Sequence, residues 1–468
     1  MTPQLPLAEP LPYRDPLTAL AAAGGGAYTV LFDSADSGDA RARYSYLGLD
    51  PVETFAVPHG APAEPLRWIR ERLARGAQPT RPDLPPFQGG IAGLLGYELG
   101  AHLETLPAPA GTGSDHPVAA LAVYDVIAAF DHHTQQAWLI ATGYPERDPA
   151  ARPARARERL DQLRPRVLAT AAQGPDVPPP ALTWHSDVDG RAYRDKVRRA
   201  NAYIRAGDVF QVNLSRELVA DRPAGLDPLA LYRAMRGRTL APFSAYMGLP
   251  GGRAVCSFSP ERFLQADSAG HVETRPIKGT RPRALDPAAD ARFAEELAGS
   301  AKDRAENLMI VDLLRNDLAR ACRVGSVTVP QLCGLESFRA VHHLVSVVRG
   351  QLPPGAGPAE LLGAAFPGGS ITGAPKIRAM EIIRELEGRR RGPYCGSLAW
   401  IGFDGAMDSS ILIRTMSVDR ERVRYGVGGG IVADSDPDAE WAETETKAAA
   451  FMAAGTDGDA RGAERHAR

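Results

Sequence analysis

Cysteine is scarce in this chain, and its spacing excludes two kinds of site. The 468 residues include four cysteines (Cys256, Cys322, Cys333 and Cys395), which are far apart and form no Cys-x-x-Cys pair. We therefore expect free thiols in a reducing compartment, and neither a disulfide framework nor a zinc site. No uncharged apolar run reaches the roughly 18 residues that a membrane span needs, and no signal peptide is evident. These absences predict a cytoplasmic protein with no membrane partner.

An excess of charge of either sign is also lacking. The chain has 54 basic and 56 acidic residues, so no nucleic-acid partner is expected. The arginine-rich stretch at residues 152–166 is interpreted as the solvated face of a helix. The glycine runs at 368–369 and 428–430 match neither the GxGxxG fingerprint nor a P-loop. The sequence therefore gives no sign of a nucleotide-binding fold.

The pattern of apolar residues divides the chain into four segments. They are an N-terminal region (1–145), a helix and linker (146–182), a second large region (183–453) and a disordered tail (454–468). We expect the two large regions to form one intertwined domain. Strands are predicted at 28–32, 44–47, 89–97, 121–130, 137–142, 209–214, 243–249, 254–257, 263–265, 395–403, 410–417 and 422–427. An amphipathic helix is predicted at 187–206, and the whole pattern indicates a large α+β fold rather than a Rossmann array.

Two predicted helices each carry two carboxylates three residues apart. Asp303 and Glu306 form one pair, and Glu440 and Glu443 form the other. Residues at this spacing share a helix face, and two such faces opposed would form a four-carboxylate site suited to Mg²⁺. The alternative is that these are ordinary exposed acids. The segment before Glu440 contains a cap residue and a proline suited to a helix start, so this pair falls in the first turns.

Two glycine-rich segments are candidate anion sites. Residues 427–431 can present successive backbone N–H groups to an anion, or they form a tight turn between a strand and a helix. In the segment 366–376, Pro375 fits the first position of a helix whose apolar stripe is Ile377, Met380 and Ile383. Thr372 and the free N–H groups at that helix start would favour a carboxylate.

Lys278, followed by Gly279 and Thr280, lies in a cationic stretch bounded by prolines. Its amine can act as a nucleophile or as an anion clamp. Glu261 precedes it by about one hairpin, so the two side chains would face one cleft from adjacent strands. Neighbouring cations such as Arg275 and Arg281 would help to expose the amine lone pair, or they point to solvent.

Two consecutive histidines lie in an apolar segment at residues 341–346. Strand alternation places His342 and His343 on opposite faces. One of them enters a site, or both are core residues. A second pair, His132 and His133, is interpreted as part of a turn.

Several ordered motifs resemble those of the chorismate-utilising enzymes, which include anthranilate, aminodeoxychorismate, isochorismate and salicylate synthases. The resemblance extends from about residue 15 to 453. The motifs are FQVNLSR (210–216), SFSPERF (257–263), PIKGTRPR (276–283), AENLMIVDLLRNDLAR (305–320), VHHLVS (341–346), GSITGAPKIRAMEII (369–383), RRGPYCG (390–396) and GGGIVADSDPDAEWAETETKA (428–448). This resemblance implies a large two-subdomain sandwich of mostly antiparallel sheets with outer helices and a central cleft.

Residue roles follow from the resemblance, position by position. Glu306 and Glu443 match Mg²⁺ ligands, with Asp303 and Glu440 in support. Glu261 matches the acid that helps the C4 hydroxyl of chorismate to leave. The matched substrate-binding positions are Gly279, Thr280, His343, Thr372, Tyr394, Arg414, Gly428 and Gly430. A possible tryptophan pocket matches Ser34, Tyr44, Pro242, Phe243 and Tyr246, although the relatives' Leu-Glu-Ser is Phe-Asp-Ser here.

Two positions separate the branches of the family. Gln211 stands where the water-using branch has an activating lysine, and Lys278 stands where anthranilate synthases have alanine. The resemblance thus implies that Lys278 attacks C2 of chorismate and that ammonia then enters at C4; formation of anthranilate is the alternative. The chain contains no recognisable glutaminase segment, so a glutamine amidotransferase subunit is the expected partner and ammonia source.

Overall fold

The computed structural model describes residues 5–35, 39, 41–62, 64–107, 111, 113–169, 181–338 and 341–453. Residues 170–180 of the predicted helix and linker segment, and the whole predicted tail, lie outside the described residues. The strands are β1 (Leu7–Leu11), β2 (Val30–Asp33), β3 (Tyr44–Gly48), β4 (Glu53–Val57), β5 (Gly90–Leu95), β6 (Ala119–Tyr124), β7 (Val126–Asp131), β8 (Gln136–Ala141), β9 (His185–Ser186), β10 (Gln211–Asp221), β11 (Phe243–Leu249), β12 (Arg253–Ser259), β13 (Arg262–Ala266), β14 (His271–Thr274), β15 (Ile277–Pro282), β16 (Thr328–Ser337), β17 (Val341–Gln351), β18 (Gly373–Ala374), β19 (Ser397–Gly402), β20 (Met407–Ile411), β21 (Thr415–Val418) and β22 (Arg422–Ile431). The helices are α1 (Pro16–Ala23), α2 (Pro65–Gly76), α3 (Gly100–Leu103), α4 (Arg152–Leu168), α5 (Gly190–Arg205), α6 (Pro228–Arg236), α7 (Pro287–Gly299), α8 (Ala301–Ala319), α9 (Pro358–Ala365), α10 (Lys376–Glu387) and α11 (Pro437–Ala453).

Two sheets form the frame of the molecule. The larger has the order β1-β8-β7-β3-β2-β11-β12-β21-β22-β10-β18, with β9 paired to β10. The smaller has the order β15-β17-β14-β13-β20-β19-β5-β6-β4, with β16 paired to β17. Both sheets contain strands from before residue 145 and from after residue 183. This arrangement of antiparallel sheets with helices confirms the predicted α+β class.

The sheets pack face to face, and the helices cover their outer faces. Ala92, Leu94 and Trp400 of the smaller sheet share a buried cluster with Met247 and Val255 of the larger sheet. Helices α1, α4, α6 and α11 cover the larger sheet, and α2, α8 and α9 cover the smaller one. Helices α5 and α10 pack against β10 and the end of β22. The space between the sheets is therefore enclosed by apolar layers.

One predicted strand, at residues 121–130, is in fact two strands in two sheets. β6 pairs with β4 and β5, whereas β7 pairs with β3 and β8. The chain crosses between the sheets at Asp125, whose buried carboxylate accepts a 2.9 Å hydrogen bond from Arg159 of α4. Both halves are fully buried, so hydrophobic pattern alone did not reveal the crossing. The predicted hairpin is present as β7 and β8.

The strand predicted at residues 410–417 is divided in the same way. β20 pairs in the smaller sheet and β21 in the larger one. Arg414 lies between them with φ of +50°, a conformation that costs a non-glycine residue roughly 1–3 kcal/mol. The crossing therefore stores strain at a residue that was predicted to contact substrate.

Two predicted helices form, each starting later in the chain than predicted. Helix α5 begins after Asp189, whose side chain accepts the Ala192 amide hydrogen. Helix α10 begins after Pro375, which is its N-cap and not its first residue. Ile377 is 43% exposed and lies outside the apolar stripe, which does include Met380. The prediction of Ile377 as a core residue is therefore wrong.

Composition predicts free thiols, no membrane-spanning segment and a solvated face on the arginine-rich helix. The four cysteines are free and buried. None of the helices in the described part of the chain has the length and apolar character needed to cross the bilayer. In α4, Arg157 and Arg164 are about half exposed and pair with Glu9, as expected for a solvated helix face.

Candidate active site

The predicted acid and the predicted nucleophile both belong to the region around the smaller sheet. Glu261 lies in the turn where the chain passes from β12 to β13, and Lys278 lies on β15. The prediction that adjacent strands carry them is wrong, because β17 and β14 lie between β15 and β13. The Lys278 charge nevertheless favours the Glu261 carboxylate, so the two side chains lie within electrostatic range of each other.

The turn that carries Glu261 lies beside the crossing that carries Arg414. The Phe258 amide donates to Arg414 O at 3.0 Å, and the Ile411 amide donates to Glu261 O at 3.1 Å. Ser259 Oγ also donates to Ile411 O at 2.6 Å. Both functional residues thus lie where the chain passes from one sheet to the other, at the cleft between the sheets.

The environment of Glu261 suits a proton donor. Burial raises the pKa of its carboxyl group, and three neighbours oppose this effect. Ser370 Oγ donates to Glu261 Oε1 at 2.8 Å, and the charges of Lys278 and Arg41 also favour the carboxylate. Burial outweighs them, so the pKa stays above its ordinary value. A carboxyl group of this kind retains its proton closer to neutral pH, as general-acid catalysis requires.

A glycine bulge shapes the strand around Lys278. The register of β15 against β17 shifts between Lys278 and Thr280. Gly279 between them has φ of +74°, and a Cβ there would lie 2.8 Å from Leu297 and 2.9 Å from Asp303. Only glycine therefore fits this position without displacing α7 and α8.

His343 faces the site, whereas His342 does not. His343 Nδ1 and Thr280 Oγ1 are 2.9 Å apart across the two strands. His342 is buried on the opposite face, with its Nδ1 2.7 Å from Ser337 Oγ and its Nε2 3.0 Å from Asp290. Burial lowers the pKa of His343 to about 4, so its imidazole is neutral at pH 7 and can form hydrogen bonds without carrying charge.

The arginines on either side of Lys278 are neutralised by carboxylates. Arg275 pairs with Glu336 at 2.5 Å, and Arg281 pairs with Glu296 at 2.8 Å. Neither guanidinium is an unpaired cation beside Lys278. The expectation that they help to expose the lysine lone pair is therefore not supported.

A cavity of about 780 Å³ contains three of the predicted substrate contacts, Tyr394, Arg414 and Gly428. Lys447 of α11 also lines it. The Tyr394 ring lies over Gly426, where a Cβ would collide with it. The cavity therefore combines an aromatic wall with three cationic side chains, Arg238, Arg414 and Lys447, as expected for a ligand with a ring and carboxylates.

The glycine run at 428–430 is part of β22, so the alternative of a tight turn between a strand and a helix is wrong. Asn213 and Ser215, which face Gly430 and Gly428 in register, donate their amide hydrogens away from β22. In an antiparallel pair, the amide hydrogens of their register partners, Gly430 and Gly428, then also point away from β10. Lys447 Nζ donates to Gly428 O on that side at 2.9 Å. β21 pairs with β22 only at residues 423–425, so the Gly428 and Gly430 amides lie beyond its end and can bind a ligand.

The pair of carboxylates on α11 is a credible half of a metal site. A Cβ at Gly429 would lie 3.3 Å from Glu440 Oε2 and 3.5 Å from Glu443 Oε1, so the glycine leaves room beneath both groups. Burial raises the pKa of Glu440, and the Glu443 charge adds to this effect. A divalent cation would relieve that repulsion, and oxygen ligands are those that Mg²⁺ prefers.

The carboxylates on α8 are near this pair but do not close a compact cluster. The Lys302 charge acts on Glu440, which places the start of α8 close to α11. Asp303 pairs with Arg281 at 3.6 Å, and Glu443 pairs with Lys447 at 2.6 Å. No three of the four predicted ligands, all described residues, have their oxygens within 4.8 Å of one another.

Thr372 supports the loop that precedes α10. Its buried hydroxyl donates to Gly368 O at 2.9 Å, and its carbonyl oxygen accepts the Asn213 amide hydrogen at 2.8 Å. Because its hydroxyl proton is already donated, Thr372 Oγ1 can only accept a hydrogen bond from a ligand. The structure therefore assigns this residue to loop geometry, and its contact with substrate stays a prediction.

A second cavity, of about 700 Å³, contains four residues of the predicted tryptophan pocket. They are Ser34, Tyr44, Pro242 and Phe243. Tyr246 is not brought to this cavity, because its ring is buried in the outer core of the larger sheet and its hydroxyl donates to Gly25 O at 2.9 Å.

Several residues near the site were given no role from the sequence. Ser370 bonds Glu261, Arg41 acts electrostatically on both Glu261 and His343, and Lys447 holds Gly428 O. Gln211, predicted only as a branch marker, has both amide atoms buried with no hydrogen-bond partner in the described structure. Ser370 lies within a recognised motif, which was its only signal; Arg41 had none.

The fold and the site define a class of protein before any comparison. The site combines an amine (Lys278), a carboxyl group with a raised pKa (Glu261) and a neutral imidazole (His343), and Arg414, which lines the 780 Å³ cavity with Gly428, acts electrostatically on His343. This is a site for a small anionic ligand that undergoes acid-assisted chemistry.

Residues 28–453 match the chorismate binding enzyme family, and the chain belongs to that family. It is 43% identical over 437 residues to aminodeoxychorismate synthase component 1 of Salmonella typhimurium, covering 90% of this chain and 91% of that protein. It is 42% identical to anthranilate synthase component 1 of Streptomyces coelicolor, covering 88% of this chain and 81% of that protein. The solved structure of anthranilate synthase component I from Streptococcus pneumoniae matches with a TM-score of 0.77 and 30% identity, covering 88% of this chain and 92% of that one.

Proposed function

We propose that this enzyme converts chorismate and ammonia to 4-amino-4-deoxychorismate, the precursor of para-aminobenzoate in folate biosynthesis. The observation that carries the proposal is the position of Lys278, whose charge acts on Glu261. The similarity to aminodeoxychorismate synthase component 1 of Salmonella typhimurium supports the same reaction. The enzyme is then an aminotransferase that acts on chorismate.

The reaction proceeds in two displacements. In the first, the free amine of Lys278 bonds to C2 of chorismate, the two ring double bonds shift and the C4–O bond breaks. Glu261 gives its proton to the departing hydroxyl, which leaves as water. In the second, ammonia bonds to C4, the double bonds shift back and the C2–Nζ bond breaks. The lysine amine is released, and the surplus proton of ammonia returns to the Glu261 carboxylate.

The remaining residues orient the substrate. The Gly428 and Gly430 amides and the Arg414 guanidinium would bind its carboxylates. The neutral His343 imidazole and Thr280 would form hydrogen bonds to it, and Tyr394 would pack against it. Mg²⁺ would be held by Glu306 and Glu443, with Asp303 and Glu440 in support, and would supply positive charge for the ring carboxylate.

Ammonia is proposed to come from a separate glutamine amidotransferase subunit. The relative in Salmonella typhimurium is named component 1, which indicates a second component.

We also propose a cytoplasmic location, because the four thiols are free. Tryptophan is proposed as the ligand of the 700 Å³ cavity, because aromatic rings line it.

Formation of anthranilate is the second candidate, because the chain is 42% identical to anthranilate synthase component 1 of Streptomyces coelicolor. Direct formation of anthranilate from chorismate and ammonium, with no aminodeoxychorismate, would favour it.

The deciding variant is Lys278→Ala, assayed with chorismate, Mg²⁺ and ammonium by separation of the products. We expect aminodeoxychorismate formation to be lost, because the C2 nucleophile is gone, and any residual product to be anthranilate. Lys196→Ala is the matched control, since Lys196 lies on α5 and is also partly buried. Retention of full aminodeoxychorismate formation in Lys278→Ala would exclude the covalent step.

A further inference from the structure

Arg41 lies between the 700 Å³ cavity and the catalytic residues. Its guanidinium is held by both carboxylate oxygens of Asp39, at 2.9 and 2.6 Å, and it lines the cavity. On the catalytic side it lies over the Phe338 ring, 4.5 Å from the ring centroid. The side chain is 14% exposed, so this cation is fixed in place and shielded from most of the solvent.

The same aromatic ring reaches the catalytic histidine. The ring centroids of Phe338 and His343 are 5.5 Å apart, and His343 Nδ1 is 2.9 Å from Thr280 Oγ1. The imidazole is therefore fixed by a hydroxyl group at one edge and by a ring against its face. The Gly279 backbone also forms a hydrogen bond with the imidazole, so the ring is held on more than one side.

We propose that Arg41 is a positioning residue of the catalytic site, which holds the Phe338 ring against His343 and thereby fixes the orientation of the imidazole. Cation–π contacts of this geometry contribute roughly 0.5–2 kcal/mol, enough to favour one ring orientation over another. The inference rests on the proposed function only for the identity of the product. Arg41, Phe338 and His343 would act on chorismate whether the product is aminodeoxychorismate or anthranilate.

The charge of Arg41 gives the proposal a second readout. His343 is faced by Arg41 and Arg414, which lower its pKa, and by Asp39, which opposes them. Glu261 is faced by Lys278 and Arg41, which oppose the effect of burial on its pKa. Removal of the Arg41 charge should therefore raise the pKa of both groups. A contact that acts through packing alone would leave both unchanged.

The test compares Arg41→Ala, Arg41→Lys and the parent enzyme, with total chorismate consumption as the measured rate. We expect kcat/KM to fall roughly 10- to 100-fold in Arg41→Ala, mainly in kcat. Both limbs of its pH profile should move to higher pH. Arg41→Lys should recover part of the rate, because an ammonium also binds a ring face but lacks the bidentate grip on Asp39.

Arg72→Ala is the matched control. Arg72 is 15% exposed, pairs with Glu53 and lies 4.9 Å from the Trp68 ring, so it repeats the contacts of Arg41 far from the site. We expect its kcat/KM and its pH limbs to match those of the parent. An equal loss in Arg72→Ala would overturn the proposal, as would unchanged kcat/KM and pH limbs in Arg41→Ala.

Phe338→Leu closes a double-mutant cycle with Arg41→Ala. If Arg41 acts through the ring, the double variant should lose little more than the worse single variant. Additive losses would contradict that route. Because the rate is read as chorismate consumption, a parent enzyme that makes anthranilate would refute the proposed function and leave the Arg41 inference to be judged on its own results.

Discussion

The hydrogen bond from Ser370 to Glu261 offers the sharpest test of the acid. Its length is 2.8 Å, and a bond to a charged carboxylate contributes roughly 1.5–3 kcal/mol. Ser370→Ala removes this stabilisation from the state in which Glu261 has given up its proton. If the full bond is felt in the transition state, kcat/KM falls roughly 10- to 150-fold. The pKa of Glu261 rises further, because one of the groups that opposes burial is lost.

The assay is the pH profile of kcat/KM for chorismate with saturating ammonium. Since Glu261 must be protonated to act, activity declines above its pKa, and this alkaline limb should move to higher pH in Ser370→Ala. Ser370→Thr retains a hydroxyl group and should restore both the rate and the limb. Ser397→Ala removes a different buried hydroxyl group, which donates to the backbone carbonyl oxygen of Leu398 and not to a carboxylate. It should change neither the rate nor the alkaline limb. An unmoved limb with kcat/KM within twofold of the parent would refute Glu261 as the proton donor.

Two further predictions concern the metal and acid stability. Glu443→Gln should raise the Mg²⁺ concentration for half-maximal turnover and weaken calorimetric Mg²⁺ binding roughly tenfold, whereas Asp312→Asn, at an exposed acid of α8, should change neither. For Asp419, burial is outweighed by bonds from His116 and Arg424, which lower its pKa to about 2. Its contribution, on the order of 2 kcal/mol, is therefore present above about pH 4 and lost towards pH 2. From about pH 4 to pH 2, the free energy of unfolding measured with urea should fall less in Asp419→Asn than in the parent. An equal fall in the two proteins would contradict this prediction.

The sequence predicted most strands and the fold class, but not where the chain changes sheets. Apolar alternation reports burial, and it is the same whether a strand belongs to one sheet or the other. The passages at Asp125 and Arg414 are set by an ion pair and by a left-handed residue, neither of which produces a periodic signal. The glycines at 428–430 were read as a loop because glycine weakens strands; here they leave room for carboxylates and side chains above β22.

The candidate site was predicted better in its membership than in its geometry. Motif resemblance identified Glu261, Lys278 and His343, yet their separation depends on strand order, which no local pattern encodes. Arg41 was missed because it comes from an N-terminal segment with little motif signal. Ser370 was missed because its role depends on the direction of one hydroxyl group. Contacts between distant segments of the chain are what sequence reasoning cannot supply.

The titrating groups together explain how one cleft can bind a dicarboxylate and still hold an acid. Burial raises the pKa of Glu261 and lowers the pKa of His343. Both shifts favour the neutral form, because burial disfavours whichever form is charged. Glu261 is thereby biased towards its protonated form, and His343 is neutral at pH 7. Arg41, paired with Asp39, and Arg414 supply the nearby guanidinium groups, and the protonated Glu261 adds little negative charge to oppose an anionic substrate. Lys278 and Arg41 limit how far the pKa of Glu261 can rise, which keeps its proton available for transfer.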